Sequence, residues 1–401
     1  MDFKNIKVLY ISYDGIFDPV GQSQIIPYLR GLVKKGIDIF LISFEKANQK
    51  RKKSFFYNHL LVNKDIRWFP LIYHKKPIIP ATLFDIFHGV LKGWILVKKN
   101  KIKTIHARGY IAGIIAWILK IFNNIKFIFD MRGFWPEEKV DSGAWTKKGL
   151  LYRLTKYLEE KMILGADEIV VLTETAKKFL IYKHNLSNIS VIPCCVDLET
   201  FSIGLNAPSS FSLPKNRLFI IYIGNTGTFY NFEEMAKFFQ IFKRKIPEAF
   251  FLILSNNNKE FILETMVKYN IKADDSFVSS VSHEEVPQFL NCSAFSLIFY
   301  RRVLSGRGCC PIKFAESLAC GVPVLINSEI GDCDRIVKQN KVGVVLKDLS
   351  VESYIKFIPE IEDLLQKRKE VAERCRNVAK KYFFLDKGIE KYFSIYQRLR
   401  V

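Results

Sequence analysis

Twice along this chain, short apolar runs of strand length alternate with helix-length segments, and a polar break separates the two series. The first series of strands is expected at Val8–Ser12, Ile39–Phe44, Ile105–His106, Phe127–Asp130, Glu168–Leu172 and Ser190–Ile192. Helices are expected between them, over about 22–35, 82–99, 110–122, 148–164 and 174–183. Such alternation predicts a parallel sheet covered on both faces. Residues 202–217, SIGLNAPSSFSLPKNR, are rich in Ser, Pro, Asn and Gly and read as a linker. The pattern restarts at Leu218–Ile223 and runs to Val342–Val345, and the remainder reads as helical. The expectation is α/β: two Rossmann-like, doubly wound domains in series, 1–201 and 218–380, followed by a terminal segment 381–401. Ligands of open α/β sheets bind beyond the strand C-termini, so a cleft between the two sets of C-termini is expected.

The first strand–loop–helix reads YISYDGIFDPVGQSQIIPYLRGLVKKG, Tyr10 to Gly36. It sits where a dinucleotide fingerprint would sit, but only Gly15 and Gly21 are available and the G-x-G-x-x-G spacing is absent. The two glycines permit tight turns and close backbone approach. Gln22 and Ser23 stand where the helix is expected to begin. The loop is either a ligand contact made through backbone N–H groups or a purely structural turn.

With 401 residues and 49% apolar side chains, two cores can be filled. The eight cysteines show no C-x-x-C and no metal-ligand spacing, so free thiols in a reducing cytoplasm are expected. No signal peptide is expected, because Met1 leads directly into a charged segment and a strand. The apolar run Ile111–Phe122 is interrupted by Lys120, is too short to cross a bilayer, and reads as a buried helix.

The net charge is +21, and its distribution is uneven. Residues 50–126 carry 16 Lys and Arg against two acids, Asp65 and Asp85, for a local net of +14. Within that stretch Phe55-Phe56-Tyr57, Trp68-Phe69 and Thr82–Lys103 interleave aromatic and aliphatic residues with lysines. That combination suits an anionic membrane surface. The alternative is an amphipathic helix packed on its own domain with Lys outward. No nucleic-acid recognition motif accompanies the charge, and no nucleic-acid partner is expected.

The segment that most specifies chemistry is LSGRGCCPIKFAESLACGVPVLIN, Leu304 to Asn327. Pro311 suits the start of a helix, whose N-terminus offers unpaired N–H groups and partial positive charge to a diphosphate. Lys313 adds a cation in the first turn. Glu316, three residues on, lies on the same face and can accept from two vicinal hydroxyls such as those of a ribose. Gly321 fits the left-handed position that ends the helix.

This string closely resembles the donor-site signature of family 4 glycosyltransferases of the GT-B fold, of the bacterial polysaccharide- and glycan-assembly type. The resemblance extends over nearly the whole chain: Tyr10–Lys46, Leu164–Glu174, Ser190–Phe201, Ile220–Gly227 and Gly321–Asp332 all resemble family segments. It implies a nucleoside-diphosphate sugar bound by the C-terminal domain and an acceptor bound by the N-terminal domain. It further implies a last helix crossing back to the first domain, retention of anomeric configuration, and no obligatory metal or other cofactor. On this resemblance the donor-binding residues are Gly21, Gln22, Gly224, Asn225, Arg307, Gly308, Lys313 and Glu316.

The sequence departs from the family pattern at three places. The signature has two glutamates separated by seven residues; Glu316 matches the second, and Gly308 stands at the first. Gly224-Asn225 and Tyr230-Asn231 stand where a phosphate-binding Arg and Lys are usual, leaving Arg301, Arg302 or Arg307 as helpers to Lys313. A His common after a mid-domain strand is replaced by FIFDMRGFWPEE, Phe127–Glu138, while His106 ends the preceding strand. His106, Asp130, Arg132 and Glu138 are therefore the catalytic candidates, and Asp14, Arg108 and Glu137 the acceptor-binding ones. A structural Asp–Arg pair, a structural histidine and a solvated Glu137–Glu138 turn stand as the alternatives.

The expected enzyme is a hexosyl- or N-acetylhexosaminyl-type transferase acting on a glycan or polyprenyl-diphosphate-linked acceptor. Its expected location is cytoplasmic, peripheral on the inner face of the cytoplasmic membrane. A nucleotide-sugar 2-epimerase on the same fold and a catalytically weak sugar-nucleotide-binding scaffold are the rival readings.

Overall fold

The computed structural model describes residues 6–47, 66–208, 214–226, 229–256 and 258–400. Phe55-Phe56-Tyr57, Gly227 and part of the expected linker lie outside the described residues. The chain divides into two compact units, residues 1–193 with 385–401, and residues 194–384.

The first unit begins with β1 (Ile6–Ser12), α1 (Pro19–Gln24), α2 (Ile26–Lys34), β2 (Ile37–Glu45), β3 (Ile66–Ile72) and α3 (Ile78–Asn100). It continues through β4 (Thr104–Arg108), α4 (Tyr110–Ile121), β5 (Lys126–Asp130), α5 (Trp135–Asp141), α6 (Leu150–Gly165), β6 (Glu168–Val171), α7 (Glu174–His184) and β7 (Ile189–Val191). The strands form one sheet in the order β3-β2-β1-β4-β5-β6-β7, all parallel. Its central strands are almost entirely buried, as expected of a parallel sheet covered on both sides.

β3 is absent from the expected strands. It contains Pro70, paired opposite Ser43, and an interior proline ordinarily argues against a strand. Here β3 is the edge strand, where a missing N–H is tolerated. The single helix expected over 22–35 is two helices, broken at Ile25, with Pro27 in the first turn of the second.

The second unit comprises β8 (Leu218–Ile223), α8 (Phe232–Lys245), β9 (Ala249–Leu254), α9 (Lys259–Lys268), β10 (Ser276–Ser279), α10 (Val286–Cys292) and β11 (Phe295–Ile298). After these come α11 (Ile312–Ala319), β12 (Val324–Asn327), α12 (Cys333–Asn340), β13 (Gly343–Leu346), α13 (Val351–Gln366) and α14 (Arg368–Tyr382). Its sheet order is β10-β9-β8-β11-β12-β13. Phenylalanines fill this core: Phe238, Phe242, Phe295 and Phe299 meet edge to face, and Phe232, Phe239 and Phe251 stack.

Both sheets reverse their winding beside their first strand, between β1 and β4 and between β8 and β11. Those switch points are where loops splay apart and leave room for a ligand.

Residues 194–201, expected in the first domain, group with the second unit. The Arg376 guanidinium of α14 explains this. It donates to the carbonyls of Leu198 and Phe201 and to Ala319 at the end of α11. Val196 also pairs with Phe384. The last helix, α15 (Leu385–Arg398), groups with the first unit, where Tyr392 packs on Tyr28 and Arg398 reaches Glu168. All eight cysteines are free thiols.

Candidate functional site

In the second unit, the chain leaves β11 and forms a 3-10 turn over Leu304–Gly308. It then passes Cys309 and Cys310 and enters α11, with Pro311 at the N-cap in extended conformation. No side chain caps this end; the Phe314 N–H donates to the Pro311 carbonyl, and the Ile312 and Lys313 N–H groups precede it in the first turn. Lys313 Nζ lies 2.8 Å from Glu316 Oε2, and Glu316 is 1% exposed. The other oxygen, Oε1, lies 3.9 Å from His283 Nε2. The buried carboxylate is thus held from about one turn earlier in its own helix, with its second oxygen toward His283. Burial lowers the His283 pKa, although the Glu316 charge opposes that shift, so the imidazole is neutral at pH 7.

Three neighbouring segments complete this end of the sheet. Gly224, at φ +156°, closes β8, and its N–H donates to the Leu254 carbonyl. Asn225 is exposed after it, its carbonyl accepting from the buried Tyr222 hydroxyl. Tyr230 and Tyr300 pair across the ends of the β8 loop and β11, and Asn327 Oδ1 accepts the Tyr300 N–H at 2.7 Å. Burial raises the Tyr230 pKa, with Cys309 and Glu316 close enough to add to the shift. Gly308 is buried and Arg307 exposed on the 3-10 turn, and Gly331 N–H anchors that turn through the Gly306 carbonyl. Arg302 bonds Ser328. A separate groove of about 620 Å³ between α12, β13, α13 and α14 is lined by Lys338, Lys341 and Lys367 and contains none of these residues.

In the first unit, β1, β4 and β5 end in register: Ser12 opposite Arg108, and Arg108 opposite Asp130. Arg108 Nη1 donates to Asp14 Oδ2 at 2.5 Å, and Asp14 is half exposed. His106 and Asp130 are each 1% exposed and lie 3.5 Å apart. Tyr392 of α15 donates to Asp130 Oδ2 at 2.9 Å, and the Tyr396 hydroxyl lies 2.6 Å from His106 Nδ1. A carboxylate only accepts, so the ring proton belongs on Nε2 facing Asp130, and Nδ1 accepts from Tyr396. Burial lowers the His106 pKa. The Asp130 pKa is also lowered: burial opposes ionisation, but Arg132, His106 and Arg108 together outweigh it.

Arg132 holds a left-handed backbone, φ +59°, unusual for a residue with a side chain. Gly133 follows at φ +145°, and a Cβ there would come 2.6 Å from Glu138 Oε1. Glu138, in the first turn of α5, has no cation within ion-pair distance among the described residues, and burial pushes its pKa up to about 7. Glu137 is paired with Lys156 at 2.9 Å and accepts from Tyr152.

The comparisons with known proteins decide the family. The model described as Glycosyltransferase Family 4 matches residues 25–200, and that described as Glycosyl transferases group 1 matches residues 206–382. The chain belongs to the family 4 glycosyltransferases, with the GT-B fold.

An uncharacterized glycosyltransferase of Methanocaldococcus jannaschii is 22% identical over 63% of this chain, and the match spans 64% of that protein. Sucrose-phosphate synthase from Thermosynechococcus elongatus superposes with a TM-score of 0.74 at 13% identity, covering 98% of this chain and 99% of that one. HepE of Anabaena, solved in complex with UDP, gives 0.68 at 9% identity, covering 98% of this chain and 100% of that one.

Within this glycosyltransferase, Lys313 and Glu316 stand as a contacting pair, beside Tyr230, Cys309 and His283. His283 was missed in the sequence: a lone histidine before a helix carries no signal until the fold brings it to Glu316. In the first unit, four candidates are held in packing and hydrogen bonds of the unit itself. His106 and Asp130 are each 1% exposed, lying against Tyr396 and Tyr392 of α15. Gly21 and the Gln22 side chain are drawn into the packing of their own loop. A Cβ at Gly21 would sit 2.3 Å from the Gly15 carbonyl oxygen, and Gln22 Nε2 donates to the Ile16 carbonyl at 2.6 Å. The same loop spends its Ile16 N–H on buried Glu45. Of the first-unit candidates, Asp14 is exposed, Gln22, Arg132, Glu137 and Glu138 keep partial exposure, and Arg108 is buried and donates to Asp14.

Proposed function

We propose that the protein moves a hexosyl or N-acetylhexosaminyl group from a nucleoside-diphosphate sugar to a hydroxyl of a glycan or polyprenyl-diphosphate-linked acceptor, with retention of anomeric configuration. The observation that carries the donor half is the Lys313–Glu316 pair on the uncapped start of α11. As the anomeric C–O bond breaks, negative charge grows on the leaving diphosphate. Helix N–H groups and the Lys313 ammonium stabilise that charge where it develops. Glu316 accepts from the ribose hydroxyls and fixes the nucleotide. Arg307 and the Gly308 backbone take the place of the family's first glutamate at the transferred sugar.

The acceptor is assigned to the first unit, with Asp14, Arg108 and Glu137 as binding groups. Glu138, with a pKa near 7, is suited to exchange the acceptor hydroxyl proton. A lipid-linked acceptor places the enzyme in the cytoplasm at the inner face of the cytoplasmic membrane.

Gly308 favours one second reading, a sugar-nucleotide-binding scaffold with weak catalysis. Radiolabelled nucleotide sugars offered with lipid-linked glycan acceptors separate the two. Product whose new linkage keeps the donor configuration by NMR supports the transferase. Tight nucleotide binding without transfer or donor hydrolysis, across all donors, supports the scaffold.

A further inference from the structure

We propose that the outer face of α3, continued by the end of α4 and by α6, lies in the headgroup region of an anionic lipid bilayer, with α3 parallel to the membrane plane. The proposal deepens the membrane placement in the reading above and rests on it. Eight of the exposed large apolar side chains among the described residues lie on α3, and five on α6. On α3 they form one stripe: Leu83, Phe84, Phe87, Leu91, Trp94 and Ile95, each between 43% and 63% exposed. Ile121 and Phe122, at the end of α4, are 58% and 70% exposed. Soluble surfaces rarely leave so continuous an apolar stripe uncovered.

The polarity of α3 is reversed relative to an ordinary surface helix. Its sole acid, Asp85, is buried, accepting hydrogen bonds from the Tyr13 hydroxyl at 2.8 Å and the His74 backbone N–H at 3.1 Å. Its outward side carries no acid. Lysines stand at both ends: Lys75 and Lys76 before it, and Lys98, Lys99, Lys101 and Lys103 around its end, all exposed. Apolar side chains bounded by lysines match acyl chains below anionic headgroups.

α3 has the length and apolar composition to cross a bilayer, but its inner face is committed to its own unit. Gly89 and Gly93 let α4 approach so closely that a Cβ would stand 2.5 Å from Ile115 Cδ1 and 2.6 Å from Leu119 Cδ1. A helix fastened along one side in this way lies in the interface and does not span. On α6, Leu150, Leu154 and Tyr157 are exposed beside Arg153 and the preceding Lys147 and Lys148.

Flotation of the full chain with vesicles tests this, using phosphatidylcholine alone or mixed with phosphatidylglycerol. UDP binding is titrated on the same preparations. The expected result is binding to the mixed vesicles, weakened by salt. Partitioning falls about tenfold or more in Leu83→Gln/Phe87→Gln/Leu91→Gln and in Lys98→Gln/Lys99→Gln/Lys101→Gln. Both variants change exposed positions and keep the wild-type circular dichroism and nucleotide binding. A wild type that binds nucleotide but neither vesicle overturns the membrane face and leaves the transferase reading standing. Dimerisation that the triple glutamine variant abolishes also overturns it, in favour of a second copy on this face. Vesicle binding without any nucleotide binding supports the face and counts against the donor site.

Discussion

Lys313 and Glu316 form an ion pair one helical turn apart, with the carboxylate fully buried and the ammonium partly open to solvent. In the proposed donor site the cation would face phosphate and the anion ribose, and the ion pair holds each side chain in place. Replacing Lys313 by Ala leaves a buried carboxylate without its cation. We expect a loss of about 1–3 kcal/mol in stability by denaturant unfolding, together with weaker nucleotide-sugar binding. Unchanged stability and affinity would show that the pair is incidental.

In the proposed donor site, His283 should give nucleotide binding a pH dependence. Burial keeps its pKa below the ordinary histidine range, so it is neutral at pH 7. As pH falls through that lowered pKa, an imidazolium forms 3.9 Å from Glu316 Oε1 and competes for the oxygen a ribose would use. Nucleotide affinity should therefore decline as pH falls through that lowered pKa, below the ordinary histidine range. In His283→Asn the decline should be shallower. Identical pH profiles for the two proteins would rule out this coupling.

Glu138 should make the folded state less stable as pH rises. Its folded pKa is about 7, against about 4.3 in an unfolded chain. Below the unfolded value both states are protonated and nothing is lost. Between the two values the unfolded state ionises first, and above about 7 the cost is constant. Glu138→Gln should thus stabilise the protein by about 1–3 kcal/mol at pH 8 and have little effect at pH 4. Equal shifts at both pH values would contradict the raised pKa.

Gly21 tolerates no side chain. An added Cβ meets the Gly15 carbonyl oxygen at 2.3 Å and Ile16 Cα at 2.5 Å, both backbone atoms that cannot swing aside. Gly21→Ala should cost about 2–3 kcal/mol in unfolding free energy. A variant as stable as wild type would mean that the loop relaxes freely.

The buried cluster under α15 makes a complementary prediction. Tyr396→Phe removes the hydroxyl that satisfies His106 Nδ1 and should destabilise by about 1–3 kcal/mol. Nucleotide affinity should be unchanged. Because His106 touches no substrate in this account, a large fall in transfer with full stability would restore it as a catalytic group.

Fold and donor helix were legible because their signals are local. Strand–helix alternation fixes a parallel sheet, and Pro311, Lys313, Glu316 and Gly321 fall within one helix and its caps. What was illegible depends on partners far apart in sequence. His106 looked catalytic because it ends a strand at a switch point; its burial comes from Tyr392 and Tyr396, nearly three hundred residues later. β3 was hidden by Pro70, permissible only at a sheet edge. Gly21 read as a ligand contact with a structural turn as the alternative, and its close approach to the backbone of Gly15 and Ile16 could not be read from the sequence. The lysine-rich stretch was visible as charge, but the apolar stripe beside it needed to be seen on one face of α3.

In the proposed site α11 holds the donor nucleotide through Lys313 and Glu316. Calorimetric titration of UDP, GDP, ADP, CMP and dTDP sugars into wild type, Lys313→Ala and Glu316→Gln tests it most directly. One nucleotide class should bind the wild type, and each variant should weaken that binding by about tenfold or more. Equal affinity in all three proteins, or no binding of any nucleotide sugar to the wild type, would contradict it.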